Sequence, residues 1–349
     1  MTPEVSIIVP IYNCEKYVKD TLNSLVSQSF SNVQIICIDD ASTDRTASIA
    51  KEFARTNNNI VFVGLQKNQG LAHTRNVGLK YAKGKYIMFC DGDDIYDTDM
   101  CNIMVNTMSD GEIDFAIAQI QLKYEDTSNI WTKESDEKYY ELKFRGKQPI
   151  SNKLILDLDV SVCNKIFRRD IIDKYDISFP EGLLYEDTYF TLAYTFVSKN
   201  CFFVNRPLYT YIRHENSIMD TTFSGKANAL DHLFTAFNLY YFLKKNALVE
   251  SYKSLYPQIL SSSYAFAIRY SPKSEYRKFF DTYKNFIDKN DLLREFHNAP
   301  FITQIYNNGL YAPLSFAQKI FSIKNSLDGT RKRITFLGMQ FITRRKQKK

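Results

Sequence analysis

The sequence predicts an α/β fold in which helices cover both faces of a mostly parallel sheet. Over the first 120 residues, short apolar runs alternate with segments whose apolar residues recur at helical spacing. The apolar runs are continuous rather than alternating with polar residues, which is typical of strands buried on both faces. Because strands and helices alternate along the chain, we expect parallel strands joined by helical crossovers.

Seven elements are predicted before residue 91. The strands are expected at Val5–Val9, Val33–Ile38, Ile60–Leu65 and Lys85–Cys90. The helices between them are expected at Glu15–Gln28, Asp44–Arg55 and Leu71–Ala82. Residues 121–150 are polar and lack a regular period, which predicts a loop or an excursion at the sheet edge. Residues 224–300 have a helical pattern rich in Tyr and Phe.

Composition and charge narrow the class of protein. Of 349 residues, 44% are hydrophobic and 24% are charged, as in a globular protein with a sizeable core. The formal net charge is +6, yet residues 324–349 hold nine Lys or Arg and one acid. That segment therefore carries +8, and the rest of the chain carries −2. Since a nucleic-acid binder would spread positive charge over a groove, no nucleic-acid partner is predicted.

Cysteine usage and hydropathy indicate a cytoplasmic location. The six cysteines show no C-x-x-C spacing, and several lie in apolar runs. This pattern predicts buried, reduced thiols rather than disulfides or zinc ligands. The sequence has no apolar signal core near Met1 and no run of 18 apolar residues, so we expect neither a signal peptide nor a transmembrane helix.

Polar clusters follow three of the predicted strands, at the edge where ligands bind in parallel α/β sheets. After the second strand, Asp39 could accept a hydrogen bond from a base N–H or a ribose hydroxyl. After the fourth, Asp91-Gly92-Asp93-Asp94 places two carboxylates one residue apart on a turn. Such a pair can hold a hard cation such as Mn²⁺ or Mg²⁺, although acids are also common at turn corners.

Three further positions carry candidate chemistry. Arg75, one turn into the third helix, could contact a phosphate or brace the acidic cluster. Glu186 and Asp187 open a predicted helix at 188–198, where acids are favourable in any case, but one of them could be a general base. Arg213 and His214 follow an apparent strand and could contact a diphosphate. His214 could instead be a surface residue or a metal ligand.

In their order and spacing these motifs resemble those of family 2 glycosyltransferases, which have the GT-A fold. The resemblance covers about residues 5–217. The motifs that carry it are Val5–Asn13, Ile38–Asp44, Asn68–Gly78, Phe89–Asp94 and Tyr185–Asp187.

The resemblance implies a role for each candidate residue. Asp187 would be the catalytic base, supported by Glu186. Asp91 and Asp93 would hold Mn²⁺ or Mg²⁺, with Asp93 as the chief ligand. The residues implied to bind the donor are Pro10, Tyr12, Asn13, Asp39, Asp40, Arg75, Asp91, Arg213 and His214.

The activity implied is inverting transfer of a sugar from a nucleotide diphosphate, with UDP expected, to a hydroxyl of a glycan or lipid-linked glycan. Bacterial surface polysaccharide, lipooligosaccharide or lipopolysaccharide synthesis would be the setting. One alternative is a sugar-nucleotidyl transferase, but such enzymes carry a glycine-rich loop where this chain has Pro-Ile-Tyr-Asn. The other is a non-catalytic nucleotide-sugar-binding module, against which the intact acids argue.

Three domains are predicted: a catalytic GT-A domain at 1–220, a helical appendage at 221–312 and a basic tail at 313–349. In the tail, apolar residues lie between basic clusters, a pattern that suits an anionic membrane surface. We therefore expect peripheral contact with the inner face of the cytoplasmic membrane. The alternative for the tail is a small hairpin with a disordered basic end.

Overall fold

The computed structural model describes residues 2–125, 141–214, 228–297 and 299–308, together with three strands near the C-terminus. The chain divides into two compact units, Met1–Glu215 and Asn216–Lys349. The predicted domain limits at 220 and 312 stay predictions. Part of the predicted loop, residues 126–140, and the basic end at 345–349 lie outside the described residues.

The first unit is built on one sheet, which has nine strands within the described residues. In chain order the strands are β1 Val5–Ile11, β2 Val33–Asp39, β3 Ile60–Gly64, β4 Tyr86–Phe89, β5 Ile95–Tyr96, β6 Phe115–Tyr124, β7 Gly146–Pro149, β8 Lys165–Arg168 and β9 Asn200–Arg213. Across the sheet their order is β3-β2-β1-β4-β8-β6-β9-β5, with β7 beside β9. The short strand β7 falls within the predicted edge excursion.

The four strands predicted from apolar runs pair in parallel with one another, and β6 and β9 form a second parallel pair. β1 pairs in parallel with both β2 and β4, and β2 pairs in parallel with β3. Every residue of β1, β2 and β4 is buried, so both faces of these strands are covered. β8 runs antiparallel to β4 and β6, and β5 and β7 run antiparallel to β9. The predicted α/β sheet with helices is thus confirmed.

The helices of the first unit connect these strands. They are α1 Val18–Val26, α2 Thr46–Thr56, α3 Leu71–Tyr81, α4 Met100–Met108, α5 Asn152–Asp157, α6 Arg169–Tyr175 and α7 Glu186–Val197. The first begins later than predicted because residues 15–17 form a turn, in which the N–H of Tyr17 donates to the carbonyl of Cys14 at 2.9 Å. All six cysteines are unpaired and five are buried, as predicted.

The second unit contains the predicted helical region, whose presence is confirmed. Its helices are α8 Leu230–Lys245, α9 Tyr256–Arg269, α10 Tyr276–Lys289, α11 Leu292–Glu295 and α12 Pro300–Asn308. Ser322–Asn325, Arg331–Phe336 and Met339–Arg344 form an antiparallel three-stranded sheet, β10 to β12, which agrees with the hairpin alternative for the tail. In the described part of the chain, each helix is too short or too polar to span a bilayer.

Aromatic rings fill the core between β4, β8 and α7. Phe89 of β4 meets Phe167 of β8 edge-on at 6.2 Å and Phe190 of α7 at 5.5 Å. Phe179, from the loop before α7, stacks on Phe190 with ring centres 4.3 Å apart. Such pairs contribute about 0.5–1.5 kcal/mol each beyond the area they bury. The layer therefore fixes the distance between the strand before Asp91 and the helix that begins at Glu186.

Candidate active site

The loops that follow β1 and β2 are bound to each other at the carboxyl edge of the sheet. The N–H of Asn13 donates to Oγ of Ser42 at 3.0 Å, and the N–H of Thr43 donates to Oδ1 of Asn13 at 2.8 Å. Asn13 and Ala41 adopt left-handed backbone conformations, with φ of 47° and 59°. Left-handed conformations of non-glycine residues cost about 1–3 kcal/mol and persist where surrounding contacts hold them. Both loops are therefore held in defined conformations.

Asp39 and Asp40 differ in what their carboxylates contact. Both oxygens of Asp40 accept backbone N–H groups, from Gln69 and Gly70, at 2.8 Å each. Asp40 thus holds the start of α3. Asp39 is almost fully buried, and its Oδ2 accepts the N–H of Ser42 at 3.3 Å. Its Oδ1 is buried and has no hydrogen-bond partner among the described residues. A buried acceptor without a partner is costly, so this oxygen is suited to a ligand donor.

Two further residues predicted to bind the nucleotide-sugar donor, Pro10 and Tyr12, lie at the end of β1 and differ in their exposure. Pro10 is buried within β1, opposite Ile38 of β2. Tyr12 follows β1, and 48% of its surface is exposed. An exposed tyrosine ring offers an apolar face that a planar base can stack on.

Arg75 joins two acidic clusters that lie far apart in the sequence. Its Nη1 donates to Glu186 at 2.6 Å and its Nη2 donates to Asp91 at 2.7 Å, while only 3% of the side chain is exposed. Burial alone would lower the pKa of Arg75, but the adjacent Asp91 and Glu186 carboxylates raise it above its ordinary value. The sequence predicted that this guanidinium either contacts a phosphate or braces the acidic cluster. In the structure it pairs with two carboxylates, as the second alternative predicted.

Glu186 and Asp187 form the first turn of α7. Tyr185 before them has a left-handed φ of 62°, which turns the chain into the helix. The N–H of Thr188 donates to Oδ1 of Asp187 at 2.7 Å. Burial, together with the charge of Glu186, raises the pKa of Asp187 to about 7, although Arg75 opposes the rise. Burial also raises the pKa of Glu186, again against Arg75.

The turn after β4 is tied to the end of β9 through Asp94. The buried carboxylate of Asp94 accepts the hydroxyl of Tyr209 and, at 2.8 Å, the N–H of Ile212. Burial raises the pKa of Asp94, and the negative charges of Asp93 and Asp91 raise it further. This contact brings the end of β9 to the acidic turn. Sequence reasoning assigns Asp94 no role of its own, because its hydrogen-bond partners are more than 110 residues away.

His214 lies directly beside Asp93. Its Nε2 is 3.0 Å from Oδ2 of Asp93, and its ring stacks on Tyr17 with centres 4.8 Å apart. Arg213 ends β9 with its guanidinium 5.8 Å from the ring centre of Tyr211. Within the part of the chain that the structure describes, no three His, Cys, Asp or Glu side chains are arranged to hold a metal ion by themselves.

A separate groove of about 560 Å³ lies at the opposite end of the strands, near Glu4 and Lys85. Four of its charged side chains form ion pairs with each other: Arg168 pairs with Asp170, and Arg169 lies 3.7 Å from Asp173. The candidate site therefore remains the carboxyl edge, where the structure brings Asp91 to Glu186 and Asp93 to His214.

Comparison with known proteins identifies relatives of the first unit. The family model described as Glycosyl transferase family 2 matches residues 6–176. EpsH of Bacillus subtilis, named as a glycosyltransferase, is 35% identical over 231 residues, which cover 62% of this chain and 63% of EpsH. Glycosyltransferase GlyA of Streptococcus pneumoniae serotype 4 is 26% identical over 220 residues, which cover 62% of this chain and 31% of GlyA. The chain thus spans less than two thirds of the length of these relatives.

Solved structures share the fold. S. aureus TarS 1-349 in complex with UDP-GlcNAc superimposes with a TM-score of 0.68 and 20% identity, over 98% of this chain and 99% of that one. The mannosyltransferase PcManGT of Pyrobaculum calidifontis, in complex with GDP-Man and Mn²⁺, has a TM-score of 0.51 and 15% identity, over 90% of this chain and 87% of that one. At these identities the likeness establishes the fold alone.

Proposed function

Because the chain belongs to glycosyl transferase family 2 through residues 6–176, we propose that it transfers a sugar from a nucleotide diphosphate to a hydroxyl of a cell-surface glycan. The observation that carries the proposal is the pair of contacts made by Arg75. They place the turn after β4, suited to a sugar diphosphate, next to the first turn of α7, suited to a general base. Family membership favours this activity over a sugar-nucleotidyl transferase.

The donor we propose is a UDP-sugar. The Oδ1 of Asp39 has no hydrogen-bond partner among the described residues, and the ring N–H on the pairing edge of uracil would donate to it. Thymine and guanine carry an equivalent N–H, whereas cytosine and adenine do not. The proposal is supported by TarS, whose structure contains UDP-GlcNAc. Pro10, Tyr12 and Asn13 would form the rest of the base pocket.

The base we propose is Asp187. It takes the proton of the acceptor hydroxyl while that oxygen forms a bond to the anomeric carbon. The bond from this carbon to the diphosphate oxygen breaks on the opposite face, so the configuration is inverted in a single displacement. The proton ends on Asp187, and the electron pair of the broken bond leaves with the diphosphate. A pKa near 7 suits this role, because a base works best when its pKa is near the working pH.

The divalent ion we propose would be held by Asp91 and Asp93. Both carboxylates are accessible to an ion, with 33% and 32% of their side chains exposed. Carboxylate oxygens suit Mn²⁺ or Mg²⁺, and oxygens of the diphosphate would complete the coordination. When bound, the ion offsets the charge that develops on the leaving diphosphate.

For the acceptor we propose a lipid-linked glycan at the inner face of the cytoplasmic membrane, reached through the basic tail. In the register of β10 to β12, Arg331 pairs with Arg344 and Lys324 with Arg333. These strands thus carry several basic residues within a short segment. Anionic lipid headgroups would attract them, and each Lys or Arg near such a surface contributes about 1 kcal/mol.

Asp187→Asn should lower the rate of sugar transfer by about 10²–10⁴-fold, the usual contribution of a general base. Donor affinity should stay within about twofold, measured by calorimetry with UDP and Mn²⁺. In the wild type, kcat should fall as the pH drops below about 7, because Asp187 becomes protonated. An equal loss of donor binding in the variant, or a flat pH profile between 5 and 8, would exclude Asp187 as the base.

Asp39→Asn should weaken binding of UDP, because the asparagine can present an NH₂ group to the base N–H. A loss of about 1.5–3 kcal/mol, or roughly 10–100-fold in the dissociation constant, is expected for a hydrogen bond to a charged group. The wild type should bind UDP much more tightly than CDP, and the variant should lose this preference. Equal affinity of the wild type for UDP and CDP would contradict the assignment.

Asp93→Ala should abolish the enhancement of UDP binding by Mn²⁺, since it removes the chief ligand. Calorimetric titration with and without Mn²⁺ measures the effect, and Asp97→Ala, a nearby acid outside the turn, is the matched control. An unchanged response to Mn²⁺ in the Asp93 variant would refute the metal site.

Removal of residues 325–349 should abolish flotation of the protein with vesicles containing anionic phosphatidylglycerol. Neutral phosphatidylcholine vesicles are the control, and binding of the full chain should weaken as salt rises. If the shortened chain floats as well as the full chain, the tail is not the contact.

A further inference from the structure

Asn76 of α3 makes both backbone hydrogen bonds of Phe179, a residue of the loop before α7. Its Nδ2 donates to the carbonyl of Phe179 at 2.8 Å, and its Oδ1 accepts the N–H of Phe179 at 2.8 Å. The same Nδ2 donates to Oε1 of Glu181 at 3.0 Å. One amide side chain thus pairs with the loop as a neighbouring strand would, across more than 100 residues of sequence.

The ring of Phe179 contacts residues next to both parts of the proposed active site, the first turn of α7 and the turn after β4. It is buried and stacks at 4.3 Å on Phe190, one turn into the helix that Glu186 and Asp187 begin. It meets Phe89, two residues before Asp91, edge-on at 5.3 Å. The guanidinium of Arg75 lies over the same ring at 5.4 Å. A shift of Phe179 would therefore displace the first turn of α7 relative to Asp91.

The neighbouring residue His73 contacts the same loop in a different way. Its Nδ1 lies 3.0 Å from Oε2 of Glu181, a side chain that is 51% exposed. This pair is at the surface and does not involve the backbone of Phe179. His73 therefore contacts only a side chain of the loop, whereas Asn76 fixes the loop backbone. A comparison of the two residues separates these two effects.

We propose that Asn76 is a positioning residue for the catalytic base, and that it acts by holding Phe179 and, through that ring, the first turn of α7. The inference rests on the proposed function, because it concerns the placement of Asp187. Rates of enzyme reactions are sensitive to such placement: a shift of about 1 Å at the reacting groups can cost about 10²-fold. Asn76 itself contacts neither donor nor acceptor in this account.

Asn76→Ala should lower kcat of sugar transfer by about 10²-fold while the KM for the donor stays within about twofold. Asn76→Asp should also lower kcat, because its carboxylate cannot donate to the carbonyl of Phe179. His73→Ala, the matched control, should keep kcat within about threefold of the wild type. Calorimetry gives the number of UDP-binding sites per protein, which measures the folded fraction of each variant. Each kcat is divided by this fraction, so that partial unfolding alone does not lower the corrected kcat.

Hydrogen exchange provides a measurement that does not depend on activity. In Asn76→Ala, amide exchange should become faster at Phe179 and also in the first turn of α7, but not in β1 or β2. Faster exchange confined to residues 179–181, or an unchanged corrected kcat, would overturn the proposal. If the wild type neither transfers nor hydrolyses any nucleotide sugar, the proposed function fails. In that case the exchange at α7 still decides whether Asn76 positions this helix.

Discussion

The geometry of the site depends on one buried guanidinium, that of Arg75. Arg75 is almost fully enclosed and donates to Asp91 and Glu186, so both carboxylates must lie within hydrogen-bond distance of it. Removing one partner of a buried ion pair typically costs about 3–5 kcal/mol, because the other charge is left without compensation. The fold therefore cannot move the turn after β4 away from the start of α7 without a large penalty. These are the two places where a sugar diphosphate and an attacking hydroxyl would have to meet.

Two further layers make this arrangement rigid. Beneath Arg75, the rings of Phe89, Phe179 and Phe190 set the spacing between β4 and α7. Beside it, Asp94 fastens the acidic turn to β9 and so brings His214 to Asp93. Because these contacts are made between residues of the protein itself, the polar groups need little rearrangement when charge develops during a reaction, which is how enzymes stabilise transition states by electrostatics.

The sequence predicted the strands of the parallel sheet to within about two residues, because continuous apolar runs are a strong local signal. It also placed the candidate residues at one edge, since the carboxyl ends of parallel strands meet there. It left open whether Arg75 braces acids or contacts phosphate, and it gave no role to Asn76, Asp94 or Phe179. The partners that decide their roles lie 90 to 118 residues away, and local periodicity carries no information on such contacts.

The most direct test of this account is the anomalous diffraction of a crystal soaked with Mn²⁺ and a non-hydrolysable UDP-sugar. We predict one manganese peak beside the carboxylate of Asp93, with uracil at Asp39 and with Asp187 facing the anomeric carbon from the side opposite the diphosphate. A nucleotide bound at any other edge of the sheet, or a sugar that Asp187 cannot reach, would contradict the claim that Arg75 joins the two halves of one active site.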